Sequence, residues 1–251
     1  MKPKKTYLNW STGKDSALSL YYLLNDPNYR LRALVTSVNT RYDRVSMHGL
    51  RRTLMEKQLQ AIGIPYYTVE LLEMPSMTEY EKIMRSTVEK LKSRGFTHAA
   101  FGDIFLEDLK AYRENQLNQL GIKTVFPLWK KDSLKLVNEF IDLGFKAIVV
   151  TAKESCLGKD VVGEVLTKEF IAQLPEDVDP AGEYGEFHTF CYDGPIFSEP
   201  VAFEIGEKIY REYDAPKSTN DNCHLSVDEK VGFWYCDLTP VGSKSNKSLL
   251  L

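Results

Sequence analysis

The chain has 251 residues, 43 % hydrophobic and 12 % aromatic, enough for one large or two modest domains around a substantial core. A net charge of −3 at pH 7 argues against a general nucleic-acid binder but leaves room for a local basic groove. Cys156, Cys191, Cys223 and Cys236 are widely spaced with no C-x-x-C, no apolar signal core follows the basic start, and no run of about 18 apolar residues occurs, so the expectation is a cytoplasmic chain with reduced thiols and no membrane partner.

In chain order, an apolar strand at 7–10 runs into Ser11-Thr12-Gly13-Lys14-Asp15-Ser16, and a helix carrying Ala17, Leu18 and Leu20 begins at once. Residues 31–38 form a second strand. Leu50, Leu54, Met55, Leu59 and Ile62 recur at helical spacing, closed by Gly63-Ile64-Pro65. Residues 66–71 are a third strand. Met77, Tyr80, Met84, Val88 and Leu91 mark a third amphipathic helix, stopped near Gly95. A strand at 98–101, a helix through Leu106 to Leu120, a short strand at 124–126 and a helix around Leu134 to Ile141 follow. Residues 145–151 read as a sixth strand. Repeated β–α units imply a doubly wound, mostly parallel α/β sheet covered on both faces.

After Thr151 the pattern changes. A helix is expected at 165–174, then an acidic turn, then paired strands at 201–213 and 229–238 around a polar loop. The tail from 243 reads as mobile. A boundary near 150 is expected, giving an α/β domain at 1–150 and a smaller α+β segment at 151–251.

The 11–16 loop is the strongest chemical signal. Small residues there let backbone N–H groups converge on an anion, the helix N-terminus adds partial positive charge, and Lys14 supplies a full one. It is no Walker A loop, because Leu8 and Asp15 stand where Gly and Ser/Thr are required, and it lacks the three glycines of the dinucleotide fingerprint. In an open α/β sheet ligands bind at the carboxyl ends of strands. Four segments fall there: 11–16; 37–49, with Ser37 and His48; 102–108, with Gly102 and Asp103; and 154–158, with Cys156. Asp15 and Asp103 are candidate Mg²⁺ ligands beside a nucleotide. His48 reads as an orderer of its loop that could also touch nucleotide or substrate; His98 reads as structural. A second signal is 182–190, where Glu183 and Glu186 flank Gly185 and His188 follows. Such groups can hold an amine, a metal or a proton in transit.

The 11–16 segment resembles the S-[GT]-G-[GK]-D-S loop of the PP-loop ATP pyrophosphatases, which have HUP-like folds. Together with Glu183-Tyr184-Gly185-Glu186-Phe187-His188-Thr189, and with Gly102-Asp103 and Pro127-Leu128-Trp129, it resembles the diphthine–ammonia ligase family over residues 5 to 200. That resemblance implies adenylation of a carboxylate by ATP with Mg²⁺, loss of pyrophosphate, and attack by ammonia. Ser11, Thr12, Gly13, Lys14, Asp15 and Ser16 would cradle the nucleotide with Ser37, His48, Gly102 and Asp103. Lys14, Glu183, Glu186 and His188 would be catalytic. The acceptor would be the diphthine side chain of elongation factor 2 where diphthamide is made, and another carboxylate elsewhere; a homodimer is compatible. A tRNA-modifying PP-loop enzyme and a non-catalytic ATP-binding sensor stay open as alternatives.

Overall fold

Alternation of apolar residues along the first strands decides the architecture. The computed structural model describes residues 2–46, 48–72, 75–214 and 230–242. The expected polar loop at 215–229, including Cys223, and the tail from 243 lie outside them. The elements run β1 (Lys4–Asn9), α1 (Lys14–Asn25), β2 (Tyr29–Asn39), β3 (Arg44–Val45), α2 (Arg52–Ile62), β4 (Tyr66–Leu71), α3 (Met77–Ser93), β5 (His98–Ala100), α4 (Glu107–Gln119), β6 (Lys123–Val125) and α5 (Ser133–Asp142). They continue with β7 (Lys146–Lys153), α6 (Lys168–Ala172), β8 (Phe187–Asp193), β9 (Phe203–Asp214) and β10 (Lys230–Pro240).

Strands β4, β2, β1, β5 and β6 lie side by side in that order and run parallel, with the two-residue β3 antiparallel on the end of β2. Leu8 and Leu34 point to one face and pack with Ala17, Leu18 and Leu20 of α1 and Leu54, Met55 and Leu59 of α2. Their neighbours Tyr7, Ala33 and Val35 point to the other, against Val88 and Leu91 of α3 and Leu117 of α4. The period-2 alternation thus buries both faces under helices. Chain order reverses beside β1, which has β2 on one side and β5 on the other. The crevice of a doubly wound sheet opens at such a point.

The strand expected at 145–151 is present as β7, but it does not extend the parallel sheet. It pairs antiparallel with β8 and with β10, in a second sheet ordered β8-β7-β10-β9. The run Ala147–Ala152 is buried throughout, and a continuous apolar run says that a strand is covered on both faces, not which sheet it joins. The helix expected at 165–174 shrinks to α6. Val165 bridges Ile148, Leu166 N donates to Ala147 O (2.9 Å), and Thr167 caps the shortened helix through Phe170 N (3.1 Å). Among the described residues no helix is long and apolar enough to cross a membrane.

Candidate active site

The 11–16 loop leaves β1 and turns directly into α1. Thr12 sits at φ +76°, the left-handed region that a β-branched residue avoids. Two bonds hold its carbonyl there: Cys191 N of β8 donates at 2.9 Å and Gln58 Nε2 of α2 at 2.9 Å. Gln58 is fully buried; its other amide hydrogen goes to Cys191 O (2.6 Å), and its oxygen accepts from Trp10 Nε1 (2.8 Å). The Ser16 hydroxyl donates to Gly13 O (3.0 Å) and lies 3.0 Å from Ser11 Oγ.

Two glycines let other segments close on this loop. A Cβ on Gly13 would lie 2.9 Å from His48 Cε1 and 3.0 Å from Thr189 O; one on Gly102 would lie 3.1 Å from the backbone carbon of Asp15. The loops after β1 and β5 therefore touch, and the segment leading into β8 lies directly on the phosphate loop. Lys14 N donates to Thr189 Oγ1 (3.1 Å). The Lys14 ammonium, 3 % exposed, binds Asp15 Oδ2 (2.7 Å) and the Ala181 carbonyl, and lies 5.5 Å from the centre of the Phe187 ring. The two sequence motifs are thus in hydrogen-bond contact.

Three acids share the crevice. Glu183 Oε1 accepts from Ile104 N (2.7 Å), tying the segment before β8 to the turn after β5. Burial pushes its carboxyl up to about 7, and the charges of Asp15 and Asp103 add to the rise. Burial likewise raises Asp15 against the pull of Lys14, and Asp103 against that of Arg113, whose Nε lies 2.8 Å from Asp103 Oδ2. Asp103 does not cap α4, as an acid at that place in sequence would suggest; Leu106 is the N-cap residue. Among the described residues no group of three His, Cys, Asp or Glu side chains could hold a metal unaided. Asp15 and Asp103 lie on loops that touch through Gly102, and the Asp15 charge raises Asp103; two carboxylates so placed are of the type that holds Mg²⁺ whose remaining ligands are phosphate oxygens and water.

Glu186 and His188 take a different course from Glu183. Glu186 is 4 % exposed, with Oε1 accepting from Asp179 N (3.1 Å). His188 stacks on His48, ring centroids 4.8 Å apart and 24° from parallel. Burial, then the nearby Lys14 charge, pushes His188 down to about 4; burial also holds His48 well below its usual value, with His188 adding to it. His48 Nδ1 donates to Thr189 O (3.1 Å), so the ring orders the loop over Gly13. Ser37 acts at one remove, its carbonyl accepting from Ser46 N (3.0 Å) in the loop that carries His48. The 154–158 turn departs from the expected convergence. Glu154 N donates to Gly232 O (2.9 Å), and the Glu154 side chain accepts from Trp234 Nε1, so this turn joins β10, with Cys156 half-buried in it. His98 lies at the opposite end of the sheet, edge-on to Tyr29, in a structural role.

Several site residues gave no sequence signal: Gln58, Asp179, Arg113 and Asp237. Asp237 of β10 accepts from Arg44 Nη2 (3.0 Å) and Arg51 Nη2 (2.6 Å), while Arg44 Nη1 donates to Gly49 O (2.6 Å), pinning both ends of the His48 loop. Partners more than 180 residues apart leave no trace in local spacing.

A parallel sheet with a phosphate-type loop after its first strand, facing acids from the turn after β5, defines a PP-loop α/β protein. The chain belongs to the diphthamide synthase family: residues 4–124 match the diphthamide synthase N-terminal domain and residues 132–219 its C-terminal domain. It is 27 % identical over 193 residues to the diphthine–ammonia ligase of Rattus norvegicus, covering 72 % of this chain and 68 % of that protein. With the Homo sapiens protein of the same name it shares 26 % over 191 residues, covering 72 % and 68 %. The Schizosaccharomyces pombe protein so named is 28 % identical over 118 residues, which is 45 % of this chain but 18 % of that one. A slight structural likeness, TM-score 0.36 at 20 % identity over 56 % of this chain and 57 % of the other, is to the U34-tRNA thiolase NcsA from Methanococcus maripaludis.

Proposed function

We infer that this chain is an ATP-dependent ligase that forms a C–N bond, yielding AMP and pyrophosphate, and that it works in the crevice between β1 and β5. The observation that supports this most is the docking of the 181–191 segment on the 11–16 loop, through Lys14 to Thr189 and Cys191 to Thr12. A sensor that merely holds ATP has no use for a second acidic motif laid across its phosphate loop.

In this reading the first amides of α1 and the Lys14 ammonium hold the phosphates. Asp15 and Asp103 would hold Mg²⁺, which when bound neutralises phosphate charge. Ser11, Thr12, Gly13 and Ser16 shape the cradle, and Gly102 lets the turn after β5 close on it. An acceptor carboxylate oxygen attacks the α-phosphorus and pyrophosphate leaves. Ammonia then attacks the acyl carbon and AMP leaves, with one ammonia proton passing to a base. Glu183, whose carboxyl titrates near neutrality, has the pKa for that base. His188 is a neutral imidazole at pH 7 and so orients through hydrogen bonds.

Diphthine, named in the relatives, is the proposed acceptor, presented on elongation factor 2 in the cytoplasm. The test is chromatography of the nucleotide products with ATP, Mg²⁺, ammonium and diphthine-bearing factor. AMP and pyrophosphate in equal amounts with amide are expected. Stoichiometric ADP and phosphate would refute the reading.

A further inference from the structure

Glu186 is fixed at two points. Its carbonyl accepts from Lys153 N of β7 (2.8 Å), and its Oε1 accepts from Asp179 N (3.1 Å). The turn before it is equally constrained: Gly182 is at φ +66° and Gly185 at φ +80°, and a Cβ on Gly182 would lie 2.8 Å from Phe187 O. The other carboxylate oxygen, Oε2, is buried and meets no hydrogen-bond partner among the described residues. No ion pair engages Glu186 among those residues either. A buried carboxylate oxygen with neither donor nor counter-charge is costly, and natural structures rarely keep one without an occupant.

The surroundings narrow the occupant. A divalent cation takes about six oxygen ligands, and no group of three candidate side chains is gathered for one among the described residues. A single carboxylate oxygen held in a rigid frame suits a compact monovalent donor of N–H bonds. The seat lies on the segment that meets the phosphate loop. Asp179, which holds Glu186, accepts with Oδ2 from Ala181 N (3.0 Å) and Glu183 N (3.1 Å), and the Ala181 carbonyl takes the Lys14 ammonium. The Lys14 ammonium is engaged by Asp15 at 2.7 Å and by the Ala181 carbonyl, not by Glu186.

We propose that Oε2 of Glu186 is the seat of an ammonium ion, the nitrogen donor of the ligase reaction inferred above, on which this assignment rests. Glu183 and Glu186, three residues apart, then do different work. An ammonium nitrogen has no lone pair, so one proton passes first to Oε2 of Glu186 and frees ammonia; ammonia then attacks the acyl carbon, AMP leaves, and Glu183 takes the second proton.

The full chain is followed by thermal unfolding in ammonium, potassium and sodium chloride at matched ionic strength. Ammonium should raise the Tm saturably above both other salts. In Glu186→Gln and Glu186→Met, folded by circular dichroism, its half-saturation should rise by about tenfold or more, the weight of one charged hydrogen bond. An equal response in wild type and the Met variant would overturn the assignment. So would a potassium response matching that of ammonium, since potassium has the charge but no N–H. The wild-type salt comparison stands even if a variant misfolds. Product analysis separates this from the ligase reading: AMP formation without an ammonium response removes the seat alone, and an ammonium response without AMP formation removes the ligase reading alone.

Discussion

Replacing Gln58 by Met tests whether the phosphate loop is held in its strained form from outside. Methionine keeps the length and volume but removes all three hydrogen bonds, to Trp10 Nε1, Thr12 O and Cys191 O. Thr12 O keeps its bond from Cys191 N, whereas the Trp10 indole N–H and the Cys191 carbonyl each lose a partner in a buried setting. At about 1–3 kcal/mol for each stranded group, the loss should be about 2–6 kcal/mol, a large share of a typical total of about 5–15 kcal/mol. Urea unfolding reads it directly. With a slope of about 3 kcal/mol/M the midpoint should fall by roughly 0.7–2 M, with the slope unchanged. ATP affinity should fall too, since the left-handed Thr12, strained by about 1–3 kcal/mol, then relaxes away from its bound form. A loss below about 1 kcal/mol with ATP affinity intact would show that the loop holds its own shape and that Gln58 is only packed beside it.

Lys14→Ala should weaken ATP binding by about 1.5–3 kcal/mol, the scale of a charge-assisted hydrogen bond; unchanged affinity by titration calorimetry would contradict its placement on the phosphates. The pH dependence of stability should show two limbs of opposite sign. Glu183 is raised by burial to about 7 in the fold, so its contribution is full below about 4.5 and lost as pH rises through 7, which Glu183→Gln should flatten. His188 is lowered by burial to about 4, so its contribution is full above about 6.5 and lost as pH falls through 4, which His188→Phe should flatten. Each limb spans about 2.5 pH units, hence about 3 kcal/mol at 1.36 kcal/mol per unit; denaturant midpoints across pH 3–8 that leave either limb in place in its variant would refute that residue's part.

Local chemistry was enough for the first half of the chain and for both motifs. The strand, the small-residue loop and the helix at 4–25 follow from short-range pattern, because an apolar run, a turn and a 3.6-residue period are each written within a few positions. So are the helices ended at Gly63 and Gly95, and the paired strands β9 and β10. The spacing around Gly185 likewise singled out Glu183, Glu186 and His188 as a second signal, whereas the open-sheet rule covered only the segments after the strands of the first half and that at 154–158. Only the tertiary structure decided which sheet β7 joins, since burial on both faces is common to parallel strands and to the centre of a second sheet. Only it separated Glu183, bonded to Ile104 N in the crevice, from Glu186, bonded to Asp179 N of its own segment. And only it produced the Gln58 clamp, the Asp103–Arg113 pair and the Arg44–Asp237–Arg51 bridge. Each of these joins groups that neither share an element nor follow a period, and a buried polar atom finds its partner through the packing of whole sheets and helices, which no local spacing encodes.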